Sequence, residues 1–420
     1  MNDAGGTRRE FLLKAGIVAA GTMGAWPKAG GSRASMRKLG RCGEDASGIV
    51  IHGVEAGPFD PSVWQAGRLH WVWNETAPLI DAGPGRYRNI YAPTVLPDGR
   101  GWRIWYGGWD GVDTPNDRVY TQWTPDFVQF RDRRLEIDHG AFIHVNNCSV
   151  VRVAHASYQM MCTAYPDRSG LNKPAGFASP DGTTWNGSRP YEARFADLVV
   201  IDGYEPFARA DINGSNAILY EDGLLRLYFY DGRNPGRLYR ATSRDFRRFS
   251  LDGPVLATDH AVNDVKKFRI GSDVWYLMAL HRNTDRIWYT LSRNGREFAP
   301  ERVLTANRGE ADRYIVAVGW VTRQNRIFGV LYGAGPVPSL DANRIFARWL
   351  QRRVVFEAGS RVFEADAGIG PGRVRLRLGG EKAAEGRFAV YAEDGDNLLY
   401  RGPKVRIECG DVWAFRSDAG

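Results

Sequence analysis

The chain has 420 residues and a formal net charge of +8; 43% of its residues are hydrophobic and 12% aromatic. That apolar content supports a sizeable core and excludes a disordered chain. No basic run is interleaved with aromatics, which excludes the usual nucleic-acid-binding surface, while the positive charge leaves an acidic glycan open as a partner.

In chain order, Thr7-Arg8-Arg9-Glu10-Phe11-Leu12-Leu13-Lys14 comes first, and it resembles the twin-arginine export motif. A modestly apolar stretch from Ala15 to Trp26 follows, too short and too rich in Gly and Ala for a stable membrane span. An amphipathic surface helix is the alternative reading. The resemblance implies the twin-arginine translocation machinery as a partner, cleavage between Gly30 and Ser35, and a periplasmic or extracellular location. Residues 1–36 are therefore expected to be a signal segment, and no later apolar stretch is long enough to span a bilayer. Export permits disulfides. Cys148 and Cys162 fall on adjacent strands of one expected hairpin, and Cys42 and Cys409 lie near opposite ends of the chain. Buried free thiols are the alternative for both pairs. The absence of Cys-x-x-Cys argues against a zinc or redox site.

Residues 37–86 form a lead-in, in which Leu69-His70-Trp71-Val72-Trp73-Asn74 has the character of a strand completing a sheet. A repeated unit then begins. It is clearest from Asn216 to Phe249: a short apolar run, a Glu-Asp-Gly turn, the aromatic run Leu225 to Tyr230, a polar loop and a third run ending on a Ser-x-Asp turn. Its middle strand recurs as Gly101 to Gly108, Tyr158 to Tyr165, Val274 to Leu280 and Arg326 to Tyr332. The closing turn recurs at Asp126, Asp181, Asp245 and Asn294, spaced about 50 to 65 residues apart, the length of a four-stranded propeller blade with its loops. Long helical periodicity is absent. These features predict an all-β fold, a five-bladed β-propeller over residues 87–352. Short runs at Val374–Leu378, Arg387–Tyr391 and Val405–Ile407 predict a small C-terminal β-sandwich-like domain over residues 353–420.

In a propeller the polar residues that begin the inner strands converge on one mouth of a central channel, a favoured place for ligands. The candidate ring comprises Arg88, Asn89, Tyr91, His144, Asn146, Asn147, Asp211, Asn213, Asn216, Asn263, Asp264, Lys266, Glu310, Asp312, Arg313 and Tyr314, of which Arg88, Tyr91, His144, Asn147, Asn216, Lys266, Asp312 and Arg313 are the candidates for substrate binding. Three carboxylates are candidates for catalysis. Glycoside hydrolysis needs two carboxyl groups flanking the scissile bond. Asp264 begins an inner strand and shares a face with Lys266. Glu205 lies on a loop entering the third unit, and Asp211 could orient substrate or adjust a neighbour. The alternative is that these residues cap strand ends and turns. No motif demands a metal or another cofactor.

The five-unit pattern, Ala92-Pro93-Thr94-Val95-Leu96 followed by Arg103-Ile104-Trp105-Tyr106, and Asn263-Asp264-Val265-Lys266-Lys267-Phe268-Arg269 resemble the five-bladed propeller glycoside hydrolases. These comprise the arabinanase and xylosidase, the invertase and levanase, and the mannoside phosphorylase families. The resemblance implies an exported enzyme that cleaves glycosidic bonds of a poly- or oligosaccharide with paired carboxylates. Those families usually place an Asp, often Asp-Pro, where this chain has Ala92-Pro93. Asp110 substitutes only if its loop folds inward. A propeller that binds carbohydrate without cleaving it is the second reading. Ser179-Pro180-Asp181-Gly182-Thr183-Thr184-Trp185 also looks like a sialidase Asp-box, a structural turn in that family, but no arginine triad accompanies it.

Overall fold

The computed structural model describes residues 34–41, 47–75, 78–81, 88–109, 116–167, 169–214, 216–338 and 342–417. The twin-arginine motif and its apolar stretch, Cys42 and Asp110 lie outside the described residues.

Strands β1 (Ser35–Arg41) and β2 (Gly48–His52), helix α1 (Pro61–Ala66) and β3 (Trp71–Asn74) come first. The first repeat unit is β4 (Asn89–Asp98), β5 (Gly101–Trp109), β6 (Arg118–Thr124) and β7 (Arg131–Asp138). The second is β8 (His144–Ala154), β9 (Ser157–Tyr165) and β10 (Lys173–Ser179), followed by the short β11 (Tyr191–Glu192) and β12 (Val200–Asp202). The third is β13 (Asn216–Glu221), β14 (Leu224–Tyr230), β15 (Arg237–Ser243) and β16 (Arg248–Ala257). The fourth is β17 (Ala261–Ile270), β18 (Asp273–His281), β19 (Arg286–Ser292) and β20 (Arg302–Ala306). The last is β21 (Tyr314–Arg323), β22 (Arg326–Gly335) and β23 (Arg344–Leu350). The chain ends with β24 (Val354–Ala358), β25 (Arg361–Gly370), β26 (Arg373–Arg377), β27 (Ala383–Tyr391), β28 (Leu398–Glu408) and β29 (Asp411–Arg416).

The fold is all-β, in a propeller arrangement. Four units stand as sheets of their own, with five, three, five and four strands, rather than the five separate blades expected. The fifth unit is absorbed into a 12-stranded sheet. The physical reason is an open edge. No fourth strand follows β23 in its own unit, so β3 pairs there with Trp349 opposite Val72. The other edge of β3 then takes β25 in parallel. The second unit also lacks a fourth strand, because the segment after β10 is shared with its neighbours. There β11 runs parallel to β7, and β12 runs parallel to β16.

The first strands β4, β8, β13, β17 and β21 neighbour one another in a closed cycle. They are buried along most of their length, as Tyr-Ile-Val-Ala-Val-Gly-Trp-Val-Thr-Arg in β21 illustrates. Strands covered on both faces read as near-continuous apolar runs. β16, farther out, alternates instead. Four of the first strands carry a bulge near their start: at Tyr91/Thr94, Asn146/Ser149, Val262/Asp264 and Ile315/Ala317. A bulge re-aims the side chains around it. Gly319 allows β21 to approach β4, since a Cβ there would sit 2.2 Å from the carbonyl oxygen of Pro93.

The closing turns share one hydrogen-bond pattern. Thr124, Ser179, Ser243 and Ser292 each accept through Oγ from the backbone N–H three residues on, at 2.8–2.9 Å. Asp126, Asp181, Asp245 and Asn294 each accept through Oδ1 from the amides two and three residues on. In the second unit the turn also reaches its neighbour, where Trp105 Nε1 donates to the Gly182 carbonyl at 3.0 Å.

A second core gathers Ile49, Ile51 and Val72 from the lead-in with Val354, Phe356, Val374, Phe388 and Trp413. It draws on both ends of the chain, with β1 antiparallel and β2 parallel to β29. Cys148 and Cys162 are buried thiols without a bridge, the alternative outcome for that pair. Among the described residues no helix is long and apolar enough to cross a membrane.

Replacing Ser179 by Ala strands the buried Gly182 N–H. The expected cost is about 1–3 kcal/mol in chemical denaturation, while Ser179→Thr, the residue type found at position 124, retains most of the stability.

Candidate functional site

The five first strands enclose a narrow channel lined by Ala92, Pro93, Asn147, Cys148, Asn216 and Asn263, among others. Its free space is about 10 Å³, the scale of a single water. The bulges aim amides into it. Asn147 adopts a left-handed backbone with φ of 49° and donates from Nδ2 to Asn146 Oδ1 at 2.9 Å. Asn216 donates from Nδ2 to Thr163 Oγ1 at 3.1 Å, and its Oδ1 is buried without a partner, as is that of Asn263.

Asp264 and Lys266 face the same way, as alternation requires, with Lys266 Nζ 2.9 Å from Asp264 Oδ1. The other oxygen, Oδ2, accepts from the Trp320 backbone N–H at 2.9 Å. Asp264 is buried, so one oxygen is committed to the Lys266 ammonium on the same strand and the other ties β17 to β21. Glu205 starts an exposed 3-10 helix, Glu205–Arg209. No contact brings Glu205 and Asp264 together as a pair. Arg88 is exposed just before β4, and its carbonyl accepts from Arg344 Nη1 at 2.9 Å. Asp312 is buried in the loop ahead of β21, where Oδ1 accepts from the Gly309 amide and Oδ2 from the Tyr332 hydroxyl. Arg313 is exposed and pairs with Glu310 at 3.5 Å.

Tyr91, His144 and Asp211 are joined into one polar chain by Asn146, a member of the expected ring, and by two residues that the sequence does not single out, Asp117 and Asn172. Asp117 lies just before β6 and is only 2% exposed. Its Oδ2 accepts from Asn146 Nδ2 at 2.9 Å and lies 3.8 Å from His144 Nδ1. The Tyr91 hydroxyl bonds both Asp117 and Asn146. His144 Nε2 lies 2.9 Å from Asn172 Oδ1. The Asn172 backbone N–H and Nδ2 then both donate to Asp211 Oδ1, at 2.9 and 2.8 Å. Asp211 is half-buried, and its own amide donates to Asp231 Oδ1 at 2.9 Å.

Burial dominates the electrostatics of this chain. It raises the Asp117 carboxyl to about 7, against the opposing hydrogen bonds from Asn146 and Tyr91 and the charge of Arg118. It lowers His144, opposed by the hydrogen bond to Asn172 and the charge of Asp211. It raises the Tyr91 hydroxyl, helped by Asp117. Asp117 Oδ1 has no hydrogen-bond partner. The arrangement therefore offers a carboxyl that holds its proton near neutrality, with one oxygen anchored and the other uncommitted. A carboxyl whose titration is shifted by burial is a candidate for a functional role. No signature marks Asp117 in the sequence, because it precedes a third strand rather than a first one. Among the described residues no group of three or more His, Cys, Asp or Glu is placed to hold a metal.

Because Asp117 binds its proton more tightly folded than unfolded, it lowers stability as pH rises from about 4 through about 7. Asp117→Asn is expected to flatten that part of the profile, measured by urea denaturation at several pH values.

No protein-family model matches the chain, and no curated protein sequence matches it. Solved structures do resemble it. A glycoside hydrolase aligns with a TM-score of 0.52 at 11% identity, covering 68% of this chain and 93% of its own. A complex of BT0996 with RGII aligns with a TM-score of 0.51 at 12% identity, over 68% of this chain and 93% of that one. The catalytic domain of the Coprinopsis cinerea GH62 α-L-arabinofuranosidase aligns less well, with a TM-score of 0.46 at 16% identity, over 68% of this chain and 97% of that one. At these identities the likeness concerns fold, and the chain has the propeller-type fold of solved glycoside hydrolases.

Proposed function

We propose that this chain is an exported carbohydrate-active enzyme that hydrolyses a glycosidic bond at the mouth of its central channel. The observation that carries the reading is Asp117, a buried carboxyl raised to about 7 with one oxygen lacking a partner. A glycosidase needs one carboxyl that is still protonated near neutrality to donate to the leaving oxygen, and a second that attacks or activates water. Asp117 is assigned the first role and Asp211 the second. His144 and Asn172 hold the space between them, and Tyr91 and Asn146 orient Asp117. Asp264 and Lys266 are assigned to positioning the inner strands, and Asn147 and Asn216 to the channel wall. The fold likeness adds support at the level of architecture alone.

The substrate is a poly- or oligosaccharide. The twin-arginine motif at Arg8 and Arg9 supports export by that route to the periplasm or beyond. A fusion of residues 1–36 to a folded reporter is expected to be exported, and substitution of both arginines by lysine to retain the reporter in the cytoplasm.

The direct test is release of reducing sugar from a panel of neutral and acidic polysaccharides. The native protein is expected to release sugar, with a rate that falls as pH rises through about 7 and Asp117 loses its proton. Asp117→Asn is expected to lower the rate at least about 100-fold, the scale of general-acid catalysis, and Asp211→Asn to lower it likewise. Full activity in Asp117→Asn would remove the assignment. Saturable sugar binding without release on any member of the panel would favour a glycan-binding propeller instead.

A further inference from the structure

Asp312, placed by sequence reasoning in the ring at the channel, helps to line a separate cavity of about 270 Å³. Trp73, Tyr332 and Phe346 form its aromatic part, and Arg308, Glu310 and Asp312 its polar rim. The cavity opens at the same end of the propeller as Asp117. In an antiparallel unit the loops before the first and third strands lie at one end. Glu310 and Asp312 precede β21, and Phe346 lies near the start of β23. Asp117 likewise precedes a third strand. The size is just below that of drug-sized pockets and suits one ring-sized group.

Two arginines attend Trp73. Arg348 is fully buried, with its guanidinium carbon 3.4 Å from the indole centroid and Nη2 3.5 Å from Asp312 Oδ2. Its Nη1 is buried with no partner. Arg308 lies at the rim, with its guanidinium carbon 5.3 Å from the same ring. The two carboxylates here are engaged elsewhere. Asp312 bonds the Arg308 and Gly309 amides, Tyr332 and Arg348, and Glu310 pairs with Arg313. Among the described residues no carboxylate pairs with the Arg308 guanidinium. An aromatic wall beside an arginine without an ion-pair partner matches a sugar ring that itself bears a carboxylate. The ring lies on the apolar wall, and the carboxylate takes the bidentate bond that arginine forms best.

We propose that this cavity is a subsite for a uronic-acid residue, with Arg308 binding the carboxylate and Trp73, Tyr332 and Phe346 contacting the ring. The proposal rests on the reading of the protein as carbohydrate-active, and names an acidic glycan as the class it takes. Arg348 and Asp312 position Trp73 and Tyr332 from behind, and the positive charge of Arg348 adds to the field at the cavity.

The test is calorimetric titration of the full-length protein, native and Asp117→Asn, with tetrasaccharides of galacturonate, glucuronate and mannuronate and with their carboxyl-reduced counterparts. At least one uronate oligomer is expected to bind, with its reduced counterpart at least 10-fold weaker. Arg308→Ala is expected to weaken binding at least 10-fold with an unchanged circular dichroism spectrum. Lys404→Ala, exposed on β28 and outside the cavity lining, removes the same charge and is expected to bind as the native protein does. Failure of all three uronates to bind, equal binding of the reduced oligomers, or full affinity in Arg308→Ala would each overturn the subsite. Sugar release is scored separately, so an inactive protein that binds uronate through Arg308 would refute the hydrolase reading and leave the subsite standing.

Discussion

The Asp264 carboxylate is held out of water between two inner strands, and the geometry of the channel follows from how it is satisfied. One oxygen meets the Lys266 ammonium and the other the Trp320 amide. A buried charge is tolerated only when paired and hydrogen-bonded, so the positions of β17 and β21 are tied to one another. Ser149 makes a related link between β8 and β13, accepting from the Ile218 amide at 3.1 Å. Between β21 and β4 the same closeness comes from having no side chain at Gly319. The ring of first strands is thus fixed by side chain to backbone bonds at some joints and by bare backbone contact at another.

That ring explains why the channel is nearly closed. A space of about 10 Å³ cannot admit a sugar. The carboxyl with an uncommitted oxygen instead sits beside the bulged starts of β4 and β8, where Tyr91 and Asn146 turn towards it. The bulges that aim amides into the channel also place Asn146 against Asp117. Burial then sets the protonation state, and His144 and Asn172 carry the polar chain outward to Asp211, which is less enclosed.

Much of the architecture is legible locally. The Ser-x-Asp turns are short-range hydrogen-bond motifs, so Thr124-Pro125-Asp126 and its three counterparts mark the end of each third strand directly. The pairing of Asp264 with Lys266 follows from alternation two residues apart. The role of Asp264 is not legible, because its second partner is a backbone amide 56 residues away. Asp117 is invisible for a similar reason. Its burial depends on Tyr91, Asn146 and His144, each 26 to 29 residues distant in sequence. The number of separate sheets also resists local reading, since it turns on which strand covers the open edge of β23. That strand lies far upstream, and the ladder passes through it into the second core.

The pairing of the two chain ends has a consequence for how the protein is made. β3 cannot cover both of its neighbours until β25 has been synthesised, about 300 residues later. β1 and β2 wait longer still for β29. During synthesis the first four units can close as hairpins while the amino-terminal strands remain without their partners. The order of translation therefore separates the local folding of each unit from the final docking step, which is a long-range event set by the arrival of β29.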